Sequence, residues 1–294
     1  MTSRLLMPFR SAAPEPVPAE DAPGSTRPTA ILDLEHPLTA AFADRVRRAA
    51  RARGAVTDRE RLRTAHGIIA SAVRPVYSVD DLRRVSRTLR LGRGSCSQRM
   101  AVLEAVARSL GVPTRVRGLL VDGAFWYPRF PGLRPLVPED VLLAWPEFLL
   151  DGAWVPVADL FAGHGTRGSG ADGSGADGSG TDWSRVDGPG ADGGAPAGGG
   201  GFTNSGPETL FEAVARTAVD WDAPPACAGS APCDLSAHLR TDLGRFTSRD
   251  ELFARHGQTL CLAARTLAEP VLGRWSAGAG AGAEAKGGES RAAA

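Results

Sequence analysis

The chain has 294 residues, 43% of them hydrophobic, and 34 Lys and Arg face 33 Asp and Glu for a net charge of +1. That is enough apolar material for one large domain or two small ones, and too little net charge for bulk attraction to nucleic acid or an acidic membrane. No run approaches the ~20 apolar residues of a membrane span, and the apolar stretch in Met1–Pro8 is too short for a signal peptide. A cytoplasmic protein with neither nucleic-acid nor membrane partners is expected. Cys96, Cys227, Cys233 and Cys261 are too sparse for a disulfide scaffold and match no zinc spacing. A Cys227–Cys233 bridge is disfavoured in a reducing compartment, and no metal or cofactor is expected.

Residues 1–28 are rich in Pro, Ala and Glu without periodicity, and read as a disordered leader. A helix is expected over 38–53, with Leu38, Phe42, Val46 and Ala49 on one face. Its arginines read as a solvated face, because no aromatic residues are interleaved. A second helix runs from Asp58 to Val73, burying Leu62, Ala65, Ile68, Ile69 and Ala72. Ser78 to Asp81 then cap a short helix carrying Leu82, Val85 and Leu89.

The next stretch, Leu91-Gly92-Arg93-Gly94-Ser95-Cys96-Ser97-Gln98-Arg99-Met100, is a tightly turned polar approach to a helix. Met100, Leu103, Val106, Ala107 and Leu110 recur at spacings of three and four, and Gly111 and Pro113 stop the helix. Cys96 therefore stands at or near a helix N-terminus, where unpaired N–H groups and the helix dipole favour a thiolate. The alternative is a small buried core cysteine.

Thr114 to Leu119 alternates as a half-exposed strand does. A loop with Trp126, Tyr127, Pro128, Pro131 and Pro135 follows. Val141–Leu150 and Ala153–Asp159 are two strand-like runs joined by Asp151-Gly152, a hairpin signal. Pro146 and Pro156 cannot donate to a ladder, so each needs an edge or a bulge, and a bulge or a longer loop is expected to shift the hairpin register by one. Residues 163–201 collapse to Gly, Ala, Ser and Asp with a five-residue repeat. Calcium-binding repeats need a period of roughly nine with an apolar residue per turn, so this segment reads as a flexible linker or loop. Residues 207–221 and 235–272 read as helices, with breaks near 244–248 and at Gly257. Leu252, Phe253, Leu260, Leu262 and Leu267 are expected on the buried side. The tail from Ser276 reads as disordered.

The middle of the chain resembles the transglutaminase-like family on the papain-like cysteine fold, over about residues 31–161. The resemblance rests on Gly92-Arg93-Gly94-Ser95-Cys96, on Leu110-Gly111-Val112-Pro113-Thr114-Arg115, on Ala144-Trp145-Pro146-Glu147-Phe148 and on Asp151 to Asp159. It implies an α+β fold: a helical N-terminal half on a small antiparallel sheet, with a helical C-terminal extension. The expected divisions are a leader 1–28, a core 29–162, a linker 163–201, a helical extension 202–275 and a tail 276–294.

The resemblance further implies a cysteine nucleophile, a histidine that takes its proton and an aspartate that orients the histidine. Cys96 matches the nucleophile and Asp159 the orienter, while the histidine position holds Leu143. Three explanations stay open. Another base serves, with His164 first and His66, His36, His238 and His256 behind it. No base is needed, because the helix N-terminus alone activates the thiol toward a thioester. Or the protein is a pseudoenzyme that binds or scaffolds, or an accessory of a biosynthetic pathway. Trp126, Tyr127, Trp145 and Gln98 are candidates for the substrate cleft, and Trp154 reads as core. The expected partner is a small-molecule or peptide acyl substrate. Oligomeric state, and hydrolysis against amide formation, are not legible.

Overall fold

The computed structural model describes residues 22–162, 201–217, 219–223 and 233–277. Residues 1–21 of the expected leader, most of the linker, His164, Cys227 and the tail from 278 lie outside them. The end of the leader and the start of the tail are ordered, against expectation: Ser25 bridges Thr114, the Arg27 carbonyl accepts from Arg108, and Ser276 bridges Val76.

The first two helices form as the spacing predicts. α1 (Pro37–Ala52) is N-capped by His36, and its buried stripe is Thr39, Ala43, Val46 and Ala50, one position on from the expected one. α2 (Asp58–Ala72) opens with a capping box between Thr57 and Glu60. β1 (Arg74–Pro75) follows. Residues 78–81 do not cap a helix, and Leu82 is exposed; α3 (Val85–Leu91) starts later, because Asp80, Asp81 and Ser78 are drawn into side-chain bonds elsewhere. β2 (Arg93–Gly94) runs parallel to β1, pairing Arg74 with Arg93 and Pro75 with Gly94.

α4 (Cys96–Ser109) is the central helix. The apolar spacing revealed one face, yet every residue from Gln98 to Arg108 is buried. Its charged members are each paired, although Arg99 Nε and Glu104 Oε2 are buried without a hydrogen-bond partner among the described residues. Arg99 pairs with Glu212 at 2.5 Å and lies over the Phe211 ring. Arg108 donates to Thr114 Oγ1 at 2.7 Å and to the Thr247 carbonyl at 2.8 Å. Glu104 pairs with Arg249 at 2.5 Å, both side chains fully buried.

The sheet is antiparallel in the order β5–β4–β3–β6, from β3 (Thr114–Asp122), β4 (Asp140–Leu150), β5 (Ala153–Pro156) and β6 (Leu239–Phe246). β3 is buried on both faces rather than half-exposed, since Arg115 pairs with Glu147 at 2.5 Å and Arg117 with Asp222 and Asp242 at 2.6 and 2.7 Å. The Asp151-Gly152 turn has φ of 52° and 79°, the left-handed pair that a two-residue hairpin needs.

The hairpin pairs Leu150 with Ala153 and runs without interruption to Glu147 opposite Pro156. No bulge forms at either proline. Leu149 N–H bonds the Pro113 carbonyl at 3.0 Å, so the odd residues of β4 carry the ladder to β3 and the even ones face away. Pro146 therefore turns its nitrogen to where β5 has already ended, and Pro156 turns its own to the free edge. Past Pro156 the chain leaves the ladder in a 3₁₀ turn, Val157–Phe161.

The C-terminal region holds α5 (Leu210–Ala213), α6 (Arg249–His256) and α7 (Leu262–Leu272), but residues 239–246 are strand β6, not helix. Register shifts against β3 break the alternation that marks a strand. In α7, Leu262 and Leu267 are exposed at 71% and 79%, against expectation, while Leu252, Phe253 and Leu260 are buried. Cys233 is disulfide-bonded, also against expectation; Cys96 and Cys261 are not in disulfides. No helix of the described residues is long and apolar enough to cross a membrane.

Candidate active site around Cys96

Cys96 is half-buried at the first position of α4, directly after the cap Ser95. The approach is fixed by a capping box: Ser95 Oγ accepts from Gln98 N–H at 3.3 Å and Gln98 Oε1 accepts from Ser95 N–H at 3.0 Å. Gly94 is needed here, because a Cβ would lie 2.9 Å from Thr88 Cγ2 and 3.1 Å from Gln98 Oε1. The cap takes up Gln98 N–H, whereas the N–H groups of Cys96 and Ser97 have no acceptor among the described residues.

Gln98 is not a cleft residue. Its Nε2 donates to Ser78 Oγ at 2.6 Å and to the Asp80 carbonyl at 2.7 Å, and its Oε1 also accepts from Arg83 at 3.1 Å. All its hydrogen-bonding capacity goes to holding the loop before α3 against α4.

The β1–β2 pairing fixes the approach to the cysteine: Arg74 pairs with Arg93 and Pro75 with Gly94, and Val76 N–H bonds the Gly94 carbonyl at 3.1 Å. Just beyond it, Tyr77 stacks edge-on to Phe130 at 4.7 Å and to Trp275 at 6.2 Å. Arg129 is held by Asn204 Oδ1 at 2.8 Å and by the Glu208 carbonyl. Burial raises the Tyr77 phenol above its usual range against the opposing pull of Arg129, and charge on Cys96 adds to the rise. The phenol is therefore neutral near pH 7.

The match to the transglutaminase-like superfamily covers residues 41–158. These residues are a transglutaminase-like domain. No curated protein and no solved structure matches the chain.

Within this transglutaminase-like domain the expected triad positions are placed as follows. Leu143 pairs with Leu119 on the same sheet face as Trp145. Asp159 lies in the 3₁₀ turn after β5 and is exposed, and its carboxylate accepts no hydrogen bond from a described residue. Partial desolvation and the nearby Asp220 push its carboxyl upward, with Arg59 opposing. Its electrostatic neighbours are thus Asp220 and Arg59.

The described histidines are occupied elsewhere. His66 is buried, stacked on Phe211 at 4.3 Å with Nε2 2.6 Å from the Phe211 carbonyl, and burial lowers its pKa. His36 caps α1, His238 packs on Phe125 and His256 on Phe246.

Trp145 is 2% exposed and packs edge-on to Trp221, so it is core and not cleft. Trp126 and Tyr127 are half-buried, against Phe125 and beneath Arg134. Trp154 is half-buried beneath the Arg115 guanidinium rather than core. Among the described residues no group of three or more His, Cys, Asp or Glu is placed to hold a metal ion.

Proposed function

We propose that the domain performs thiol-dependent acyl transfer through Cys96, on acyl groups that carry a good leaving group. The observation that carries this reading is the half-exposed free thiol at the first position of a 14-residue helix, beside two N–H groups without acceptors. The thiolate attacks the acyl carbon, and the Cys96 and Ser97 N–H groups are aimed to hold the oxyanion. Collapse breaks the bond to the leaving group and leaves a Cys96 thioester for a second nucleophile. With Leu143 at the histidine position, no imidazole among the described residues is placed to protonate a departing amine. A thiolate departs without that help and takes its proton from water, so thioesters are favoured over amides.

The test compares an S-aryl thioester with the amide of the same acid. The expected result is release of the thiol at a rate that depends on Cys96, with no release of amine. Equal rates in Cys96→Ser overturn the reading. A second reading, a binding or scaffolding protein, is supported by the outward-turned Asp159 and by Leu143, and predicts a Cys96 as unreactive as an ordinary exposed thiol.

A further inference from the structure

The exposed residues of α7 fall on two adjacent rows of spacing four. One row is Leu262, Thr266, Pro270 and, just past the helix end, Arg274; the other is Ala263, Leu267, Val271 and Trp275. Side chains four apart stand one above the other, so the two rows make one continuous strip. Leu262, Leu267 and Val271 are 71%, 79% and 65% exposed. The polar residues of the helix do not share that strip's outlook. Glu269 turns inward to Arg83 and to the Ser78 hydroxyl, and Arg265 donates back to the Leu260 carbonyl at 3.1 Å. Thr266 gives its hydroxyl to the Leu262 carbonyl at 2.9 Å. The strip is therefore apolar up to its C-terminal end, where arginines gather. Arg274 is exposed, Arg93 donates to the Gly273 carbonyl at 3.0 Å, and Arg74 pairs with Arg93 across β1 and β2. No described carboxylate forms an ion pair with any of these three.

A strip of this kind marks an interaction surface. A second copy of the chain suits it poorly. A stable protein interface takes about 20–30 residues a side and about one hydrogen bond per 100–200 Å², whereas this strip has eight residues and no side-chain donor to spare before Arg274. Residues 278–294, which follow it, hold no apolar side chain larger than Ala and so cannot cover it. A lipid surface needs neither register nor hydrogen bonds from the apolar part. We propose that the outward face of α7, with Arg74, Arg93 and Arg274 at its end, docks on an anionic lipid surface. Leu262, Leu267 and Val271 enter the acyl boundary, the Trp275 indole sits at headgroup level, and the arginines meet the phosphates. The helix lies on the surface and does not cross it. A net charge of +1 gives no attraction in bulk, but an unpaired local cluster supplies it where the apolar strip ends. The proposal goes beyond acyl transfer and does not involve Cys96, so it stands or falls apart from that reading.

The test is sedimentation of the full chain with vesicles of phosphatidylglycerol and phosphatidylcholine in equal parts, beside vesicles of phosphatidylcholine alone. The chain is expected to pellet with the first and much less with the second. Leu267→Glu, at a position with few contacts to lose, is expected to weaken binding at least about tenfold. Arg274→Gln is expected to weaken it about fivefold on the anionic vesicles and to change nothing on the neutral ones. No pelleting, equal pelleting with both vesicles, or pelleting that Leu267→Glu leaves unchanged overturns the proposal. Light scattering of the same chain in solution covers the rival occupant: a dimer mass that Leu267→Glu returns to the monomer assigns the face to a second copy and also overturns it.

Discussion

Arg249 is the residue on which the helices and the sheet jointly depend. It bonds Glu104 of α4 twice, the Ser97 carbonyl and hydroxyl, and the Ala144 carbonyl of β4. Both charges are fully buried, so removing one strands the other. Arg249→Met is expected to cost about 3–5 kcal/mol, read as a drop in the urea midpoint; a change below about 1 kcal/mol would contradict that. Asp81 sits beside the same network, and its carboxyl is raised to about 7 by desolvation, with Arg249 and Ser97 opposing. An unfolded aspartate titrates near 3.9. Between those values the folded state binds the extra proton, so stability falls as pH rises through this window. Asp81→Asn should flatten that fall and gain on the parent above pH 7. Parallel melting curves from pH 4 to 8 would show that Asp81 titrates normally. None of this was legible from residue type. Gln98 and Trp145 both read as cleft candidates, because sequence spacing does not say which side chains fold back on their own loops or into the core.

At the scale of elements, what was legible followed the rigour of the local code. The helices of the first half and the hairpin turn carry caps, periods and a turn dipeptide, and they form where those signals stand. Gly152 with φ of 79° is the residue that the turn cannot replace cheaply. Gly152→Val is expected to lose about 1–2 kcal/mol from the strained left-handed backbone, seen as a lower melting temperature; an unchanged one would mean the turn re-forms with another register. β6 failed to show because its pairing with β3 shifts register twice, which destroys a period of two over eight residues. The bulge expected in the hairpin failed for the opposite reason. A proline disturbs a ladder only if its nitrogen faces a partner, and the direction of each nitrogen depends on where the neighbouring strand ends.

In the molecule as a whole, the C-terminal region completes the site rather than trailing from it. Glu269 of α7 takes Arg83, the Ser78 hydroxyl and Val79 N–H, and so braces the residues that hold Gln98 and the α4 cap. Residues 275–277 pair back along β1, with Ala277 N–H on the Pro75 carbonyl at 3.0 Å, and bring Trp275 against Tyr77. The match to the superfamily ends at residue 158, yet Glu269 reaches back to brace the loop before α3, and Asn204 and the Glu208 carbonyl hold Arg129. Contacts this far apart in sequence leave no local pattern, which is why they were not legible. The most direct test of the account is to treat the protein with an acyl thioester at neutral pH and follow Cys96 and Cys261 peptides in the same samples by mass. The account predicts an acyl adduct that builds first on Cys96, disappears when a second nucleophile is added, and is absent from Cys96→Ser. An adduct that grows equally on Cys96 and Cys261, or on neither, would contradict it.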